Sequence, residues 1–376
     1  MGKLRPFVIP LTLAVLAIVI FNTRVSHEMV DFGVYRQAAT RSLHAEPLYR
    51  ADDGHYQFKY LPAFALVMAP FAAMDAETAK MVWFALSFGL LAIFLRWSIA
   101  ALPARRLSER ALMWLAIVLM AKFYAHELLL GQSNLLLGAL LVAALLAIQI
   151  EQPMLGGVLT GLAIFVKPYA IVFLPWLAIT QGVVPVLLSL AVLAVGLIAP
   201  VVLYGWSGNL DLLNGWYRTV TDSTAPNLLG ADNISLAAMW AKWLGPGRVA
   251  AALAAVSGAG ALGLVVIAWR RRADIVEPEY LEFALLMLLV PLLSPQGWDY
   301  VLLLSTPAVL CVVDRWREIS AGWRALMAAA LVLMCLTIFD LMGRALYARF
   351  MALSIVTVCA LTIAAGLVHF RWRKLA

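Results

Sequence analysis

The sequence predicts an all-α polytopic membrane protein, and three observations carry that prediction. Apolar residues make up 64% of the 376-residue chain and charged residues only 13%, whereas soluble domains carry about 25% charged residues. The mean hydropathy is +0.91. The apolar residues also gather into long runs between short polar stretches. That is the pattern of helices that cross a bilayer while satisfying their own backbone hydrogen bonds.

A helix rising about 1.5 Å per residue needs about 20 residues to cross ~30 Å of hydrocarbon. Apolar runs fall near 7–22, 61–74, 79–101, 111–130, 133–150, 154–180, 183–204, 248–269, 280–293, 300–313, 322–339 and 351–368. The first follows a short basic front (Lys3, Arg5) with no small-residue cleavage site after it, so it is expected to be a retained membrane helix with a cytoplasmic N-terminus. The loop 23–60 then lies outside. Run 61–74 is short and holds Pro62 and Pro70, which suits a juxtamembrane or re-entrant helix. Run 79–101 returns to the cytoplasm, where "RRLSER" (105–110) belongs by the positive-inside rule. Run 111–130 leads out to "GQSN" (131–134), and 133–150 leads back. "KP" (Lys167, Pro168) interrupts 154–180, because proline disfavours a helical residue before it. Two half-helices entering and leaving on one side keep the parity. Run 183–204 goes out to a loop, 205–247, with a short amphipathic piece, and 248–269 returns to "RRR" (270–272). The last four runs alternate. They put "SPQGWD" (294–299) outside, and "DRWRE" (314–318) and "RWRK" (371–374) inside.

The count is ten crossings plus two short or broken elements, within a range of about 10–13 membrane helices. The chain is expected to be one membrane domain, 1–376, with outer loops 23–60 and 205–247. The net charge of +7 is topological on this reading. Its basic clusters are too short for a nucleic-acid arm, so no nucleic-acid partner is expected. Cys311, Cys335 and Cys359 sit inside apolar runs without CxxC spacing, which suggests neither a disulfide framework nor a metal site.

The polar stretches share the outer face, so the chemistry is expected there. In "HEMVDFGVYRQAA" (27–39), a helix would put Phe32, Tyr35, Ala39 and Leu43 on one face. Asp31 stands at its start, either as an N-terminal cap or as a reactive carboxylate. "EPLYRADDGHYQFKYLP" (46–62) offers Tyr49, Arg50, His55, Lys59 and Tyr60. A cation there suits a lipid phosphate, although any one of them is more often a snorkelling side chain. "KFYAHELLLGQSN" (122–134) carries Lys122, His126, Glu127, Gln132 and Asn134 near the outer end of a membrane helix, where ionisable groups favour a polar cavity. Lys167, at a helix break, faces either a cytoplasmic pocket or the inner surface. Asn233-Ile234-Ser235 is formally a glycosylation sequon. No HExxH, P-loop, GxSxG or DxD motif is present.

Four segments in order, "DFGVYRQAATRSLHAEPLY…FKYLPAFALVMAPFA", "GQSNLLLGALL", "GVLTGLAIFVKPYAIVFLP" and "SPQGWDYVLLL", resemble glycosyltransferase family 87. These are polyprenol-phosphate-mannose-dependent mannosyltransferases and relatives with the GT-C membrane fold. The resemblance implies transfer of a sugar from a polyprenyl-phosphate carrier to a lipid or glycan acceptor, with membrane lipids around it and no metal cofactor. It assigns the general base to the aspartate of the first outer loop, here Asp31. Tyr35, Arg36, Arg50, Lys59, Tyr60, Glu127, Gln132, Asn134 and Asp299 are then candidates for holding the donor's phosphate and sugar. Trp206, Trp216 and Tyr217 stack on sugar or anchor at the interface. Many relatives carry a histidine where Asp299-Tyr300 stands here. Asp299 is left to orient a base, bind an acceptor hydroxyl or cap a helix, and the sugar stays open. A bacterial inner membrane with the site on the periplasmic side follows from the same resemblance. The alternatives are a lipid transporter, which would show repeat symmetry and a midplane site, and a non-catalytic scaffold.

Overall fold

A computed structural model describes residues 15–274 and 277–369. The front of the first apolar run and the "RWRK" cluster lie outside these. The described chain is a helical bundle with no strands; one isolated bridge, Asn233 to Trp298, is its only β-type pairing.

Among the described residues, three helices are long and apolar enough to cross a bilayer: Ala76–Ala100, Glu109–Leu130 and Arg248–Arg270. Two bent pairs, Val183–Ile198 with Val201–Asn227 and Arg344–Ala352 with Ile355–His369, would raise that number to five. Length alone therefore supports fewer spans than the ten expected from the apolar runs. Breaks within the runs explain the difference. Run 300–313 divides into a 3-10 segment, Asp299–Ser305, and a helix, Thr306–Asp314, with Pro307 in its first turn. The helix Asn134–Gln149 has 16 residues and reaches about 24 Å.

The helix Pro278–Leu293 is the centre of the bundle. Every residue from Tyr280 to Leu292 is buried, as expected for a helix that is apolar on all sides. Elsewhere in the bundle, Pro153–Val166 and Val183–Ile198 run side by side in the same direction. Gly157 and Gly161 permit their close approach: a Cβ on Gly157 would sit 2.3 Å from the Pro185 carbonyl oxygen, and one on Gly161 2.7 Å from that of Ser189. Small residues let membrane helices pack this tightly. Between them the chain breaks at Lys167, which has an extended backbone (φ −143°, ψ 114°), and turns back through Pro168–Val172 and Phe173–Gln181. This is the interruption expected at "KP".

The two faces of the bundle differ. On one, "RRLSER" meets "DRWRE": the amides of Arg106 and Leu107 donate to Asp314 Oδ1 at 2.9 and 2.8 Å, and Arg315 donates to the Pro103 carbonyl at 3.0 Å. The Glu109–Leu130 helix leads away from this basic face for 22 residues, about 33 Å, and ends at "GQSN" on the other. That second face carries 23–60, 228–235 and 294–299. The stretch expected as an outer loop with a short amphipathic piece is largely one helix, Val201–Asn227, kinked at Gly205 and bent 93° from the helix before it.

Candidate active site

The site is built from chain breaks on the loop-bearing face. The helix Val30–Leu43 follows a break at Met29 and buries Phe32, Tyr35 and Ala39, while Leu43, expected on the same face, is exposed. Asp31 lies in its first turn, yet no side chain caps this terminus. The N-cap position is held by Met29, so Asp31 is not the capping residue, although it stands in the first turn, where the helix dipole favours a carboxylate. Its carboxylate borders a cavity of about 530 Å³.

Gly131 places the next wall. It ends the Glu109–Leu130 helix in the left-handed conformation (φ 68°), and its carbonyl accepts from Trp83 Nε1 at 2.8 Å. A Cβ there would meet Phe32 Cβ at 2.8 Å, so glycine is required both by conformation and by space. The turn delivers Gln132 to the middle of the site. Its Oε1 is ringed by three donors, Lys167 Nζ at 3.0 Å, Tyr35 OH at 3.1 Å and Tyr60 OH at 3.2 Å, and its Nε2 donates to Tyr300 OH at 3.2 Å. Lys167 also lies over the Tyr60 ring, 5.3 Å from its centre. It faces this cavity, not the cytoplasmic pocket or inner surface considered for it from sequence.

Lys59 comes from the opposite wall. Its Nζ donates to Gln296 Oε1 at 3.3 Å, and its carbonyl accepts from Trp216 Nε1 at 3.1 Å. Gln296 in turn donates to Ser223 and Thr224, both at 3.1 Å. The loop that carries Lys59 and Tyr60 is pinned to the Val30–Leu43 helix by a two-pronged ion pair, Arg41 to Asp53, at 2.6 and 2.7 Å.

At the other end of the cavity stand His126, Asp232 and Trp298. His126 Nδ1 is 3.4 Å from Asp299 Oδ1, and its ring meets Tyr300 edge to face. The loops are joined by Ile234 N to Gly297 O at 2.7 Å and Asp299 N to Asp232 O at 3.0 Å. Asn233 is wholly buried and donates to the Asn227 and Pro295 carbonyls. The sequon asparagine is thus a structural tie, closed to modification.

Of the residues singled out from sequence, Asp31, Tyr35, His55, Lys59, Tyr60, His126, Gln132 and Lys167 line one cavity. Glu127 and Asn134 stand behind it: Glu127 accepts from Asn134 Nδ2 at 2.7 Å and from the Leu135 amide at 3.0 Å, tying off the start of the next helix. Asn134 accepts from Tyr169 OH at 2.8 Å. Asp299 stands outside the lining, its Oδ1 3.4 Å from His126 Nδ1. Arg36 and Arg50 are not brought to the cavity. Arg36 donates to the Phe71 and Met74 carbonyls, and Arg50 pairs with Glu46 at 2.6 Å. Lys122, expected to share His126's polar surroundings, instead donates to the Thr337 carbonyl at 3.2 Å. Trp216 lines the cavity, whereas Trp206 and Tyr217 are exposed. Gln296 and Trp298 carry no motif of their own in the sequence, although both sit in a short polar segment between two apolar runs.

Burial raises the Asp31 carboxyl above the usual carboxylate range, opposed by a Gln132 hydrogen bond and by Lys167, His126 and Lys59. Burial also lowers the Lys59 ammonium, opposed by Asp31. Asp232 is raised by burial and by Asp299. A carboxylate with a raised proton affinity among fixed cations is suited to taking a proton from a hydroxyl. Among the described residues no three His, Cys, Asp or Glu side chains converge to hold a metal ion.

A family model described as glycosyltransferase family 87 matches residues 58–295, well over half of the chain. The chain belongs to glycosyltransferase family 87. No curated protein and no solved structure matches it. Family 87 membership, with the apolar helices, makes the chain an integral membrane glycosyltransferase. The matched stretch contains Lys59, Tyr60, Gln132 and Lys167; Asp31 and Asp299 lie outside it.

Proposed function

We propose that this family 87 enzyme transfers a sugar from a polyprenyl-phosphate carrier to an acceptor hydroxyl with inversion, and that Asp31 is its general base. One observation carries the reading: Asp31 borders a cavity whose walls also hold Lys59 and Lys167, and it caps no helix. The acceptor oxygen attacks the anomeric carbon from the face opposite the phosphate. Its proton passes to the Asp31 carboxylate. The bond from the anomeric carbon to phosphate oxygen breaks, and the polyprenyl phosphate leaves with one more negative charge than it carried in the donor.

The ammonium groups of Lys59 and Lys167 stabilise that added charge where it develops. They take the role first considered for Arg36 and Arg50, which hold carbonyls and a carboxylate elsewhere. Tyr35, Tyr60 and Gln132 supply hydrogen bonds for the sugar. This reading invokes no metal. The basic clusters meet on the face opposite the cavity, which by the positive-inside rule turns the site to the periplasmic side of a bacterial inner membrane. A lipid transporter would place its polar site at mid-membrane, whereas Asp31 stands beside the loops.

The test is sugar transfer by the purified protein with a panel of radiolabelled polyprenyl-phosphate sugars and a crude lipid acceptor extract. Asp31→Asn is run beside the wild type, with matched elution profiles. Transfer by wild type alone supports donor class and base together. Equal transfer by both removes Asp31 from the mechanism, and no transfer with any donor overturns the reading.

A further inference from the structure

The helix Val30–Leu43 borders two cavities. Asp31 and Tyr35 line the one described above. At about 100° per residue, Arg36 lies about 140° around the helix from Asp31, and Thr40 about 180°. That opposite face borders a second cavity, of about 290 Å³. Arg36, Gln37, Thr40 and Arg41 line it from this helix, and Ala76 and Lys80 from the Ala76–Ala100 helix. The two cavities share no lining residue.

Three cations line the second cavity, and no carboxylate does among the described residues. Two of the cations are partly neutralised. Arg41 forms its two-pronged pair with Asp53, and Lys80 Nζ stands 3.2 Å from Glu77, whose side chain is 69% exposed. Lys80 also donates to the Ser26 carbonyl at 2.6 Å, which leaves its ammonium one donation to spare. Arg36 is different. The Phe71 and Met74 carbonyls seat it through Nε and one Nη, at 3.3 and 2.8 Å. Its other Nη makes no hydrogen bond, and its charge meets no carboxylate, among the described residues. Gln37 beside it is exposed and makes no side-chain hydrogen bond among them.

The place of this cavity in the bundle says what meets it. Lys80 stands about one turn from the loop-bearing end of a helix long and apolar enough to cross a bilayer. Farther along that helix, Met81, Leu86 and Phe88 are exposed, an apolar surface that lipid tails cover. The cations thus stand where a span leaves the hydrocarbon, at the level of lipid phosphates. We propose that this second cavity binds the headgroup of an anionic phospholipid from the leaflet on the loop-bearing side; the assignment does not rest on the transfer reaction. The free Nη of Arg36 and the third donation of Lys80 go to phosphate oxygens, as charge-assisted hydrogen bonds. Basic pockets between membrane helices take anionic headgroups in this way. A lipid held there bridges the Val30–Leu43 and Ala76–Ala100 helices, and so braces from behind the helix that carries Asp31.

The test counts lipids retained by the full chain, delipidated in detergent and titrated with phosphatidylglycerol, by native mass spectrometry. The basic clusters of the opposite face also attract anionic lipid, so the readout is the difference between wild type and variants that leave those clusters intact. Gln37→Glu puts a negative charge into the cavity without removing a hydrogen bond, and Lys80→Gln removes one cation. Each should weaken the tightest phosphatidylglycerol by about ten-fold or more, the effect of one hydrogen bond to a charged group. Gln37→Arg should tighten it. Phosphatidylcholine of the same chain length should be held weakly by all of them. Affinity unchanged in both Gln37→Glu and Lys80→Gln overturns the site, and so does equal retention of phosphatidylcholine. Displacement of phosphatidylglycerol by an equal concentration of inorganic phosphate would assign the cavity to a free anion. Displacement by polyprenyl phosphate would assign it to the carrier. Either result overturns the phospholipid.

Discussion

Replacing Lys167 by methionine separates the charge of this residue from its packing. The side chain is 9% exposed, and methionine fills nearly the same volume with a flexible apolar stem. Gln132 Oε1, which loses one donor, keeps the Tyr35 and Tyr60 hydroxyls at 3.1 and 3.2 Å. No acceptor is orphaned, so the fold should survive. Catalysis should not. Two unit charges about 4 Å apart interact by about 4 kcal/mol at an effective dielectric constant near 20. The donor's phosphate already carries one charge before reaction, so only the developing fraction favours the transition state, and Lys59 still faces the cavity. About 2 kcal/mol remains, or roughly thirty-fold in kcat. Initial rates of sugar transfer at saturating donor, with melting temperature measured alongside, decide the matter. A kcat within two-fold of wild type refutes the argument. A rise in donor KM with unchanged kcat would show that Lys167 binds ground state and transition state equally, which also contradicts it.

Further expectations follow from the same geometry. The pH profile of kcat/KM should rise through a limb displaced above the ordinary carboxylate range, because burial raises Asp31. A raised carboxyl means that the folded state holds more protons than the unfolded one between the two pKa values, so stability falls as pH rises through that window. Asp31→Asn should accordingly melt higher than wild type at neutral pH and match it in acid below the ordinary range, while losing activity; an unchanged melting point at neutral pH would contradict the burial argument. Gly131→Ala introduces a side chain at φ 68° and 2.8 Å from Phe32, and should lower the melting temperature measurably, with a loss of about 1–2 kcal/mol from conformation alone. Arg41→Ala releases the loop bearing Lys59 and Tyr60. It should raise the donor KM several-fold, whereas a donor KM equal to wild type would show that the loop is held without the ion pair.

The sequence made part of this molecule legible. Apolar runs located the long helices, and "KP" located the break in 154–180, since proline disfavours a helical neighbour before it. The direction in which Lys167 points from that break was not legible, because a break has no face until its neighbours pack. Arg36 could have been excluded in advance. At about 100° per residue, Tyr35 lies about 40° around the helix from Asp31, but Arg36 lies about 140° away, toward the Phe71 and Met74 carbonyls. Lys122 shows the limit of that rule. It shares a helical face with His126, yet it stands one turn, about 5–6 Å, farther from the loops, and it meets the Thr337 carbonyl before any cavity.

A single physical criterion separates the candidates that remain from those that fall away. In a bundle surrounded by hydrocarbon, a buried polar group must find a partner within the protein. Glu127, Asn134, Arg41 and Asn233 have found theirs: a helix start, a tyrosine, an aspartate and a pair of loop carbonyls. Their polarity is accounted for by folding. Asp31 is not the capping residue of its helix, Lys59 rests on one side-chain amide oxygen, and Lys167 rests on another and on the Tyr60 and Tyr169 rings. These charges are held near a cavity with their capacity incompletely used, against the cost of burying them. Folding alone gives little reason to keep them there; the phosphate donor and hydroxyl acceptor proposed above would supply one.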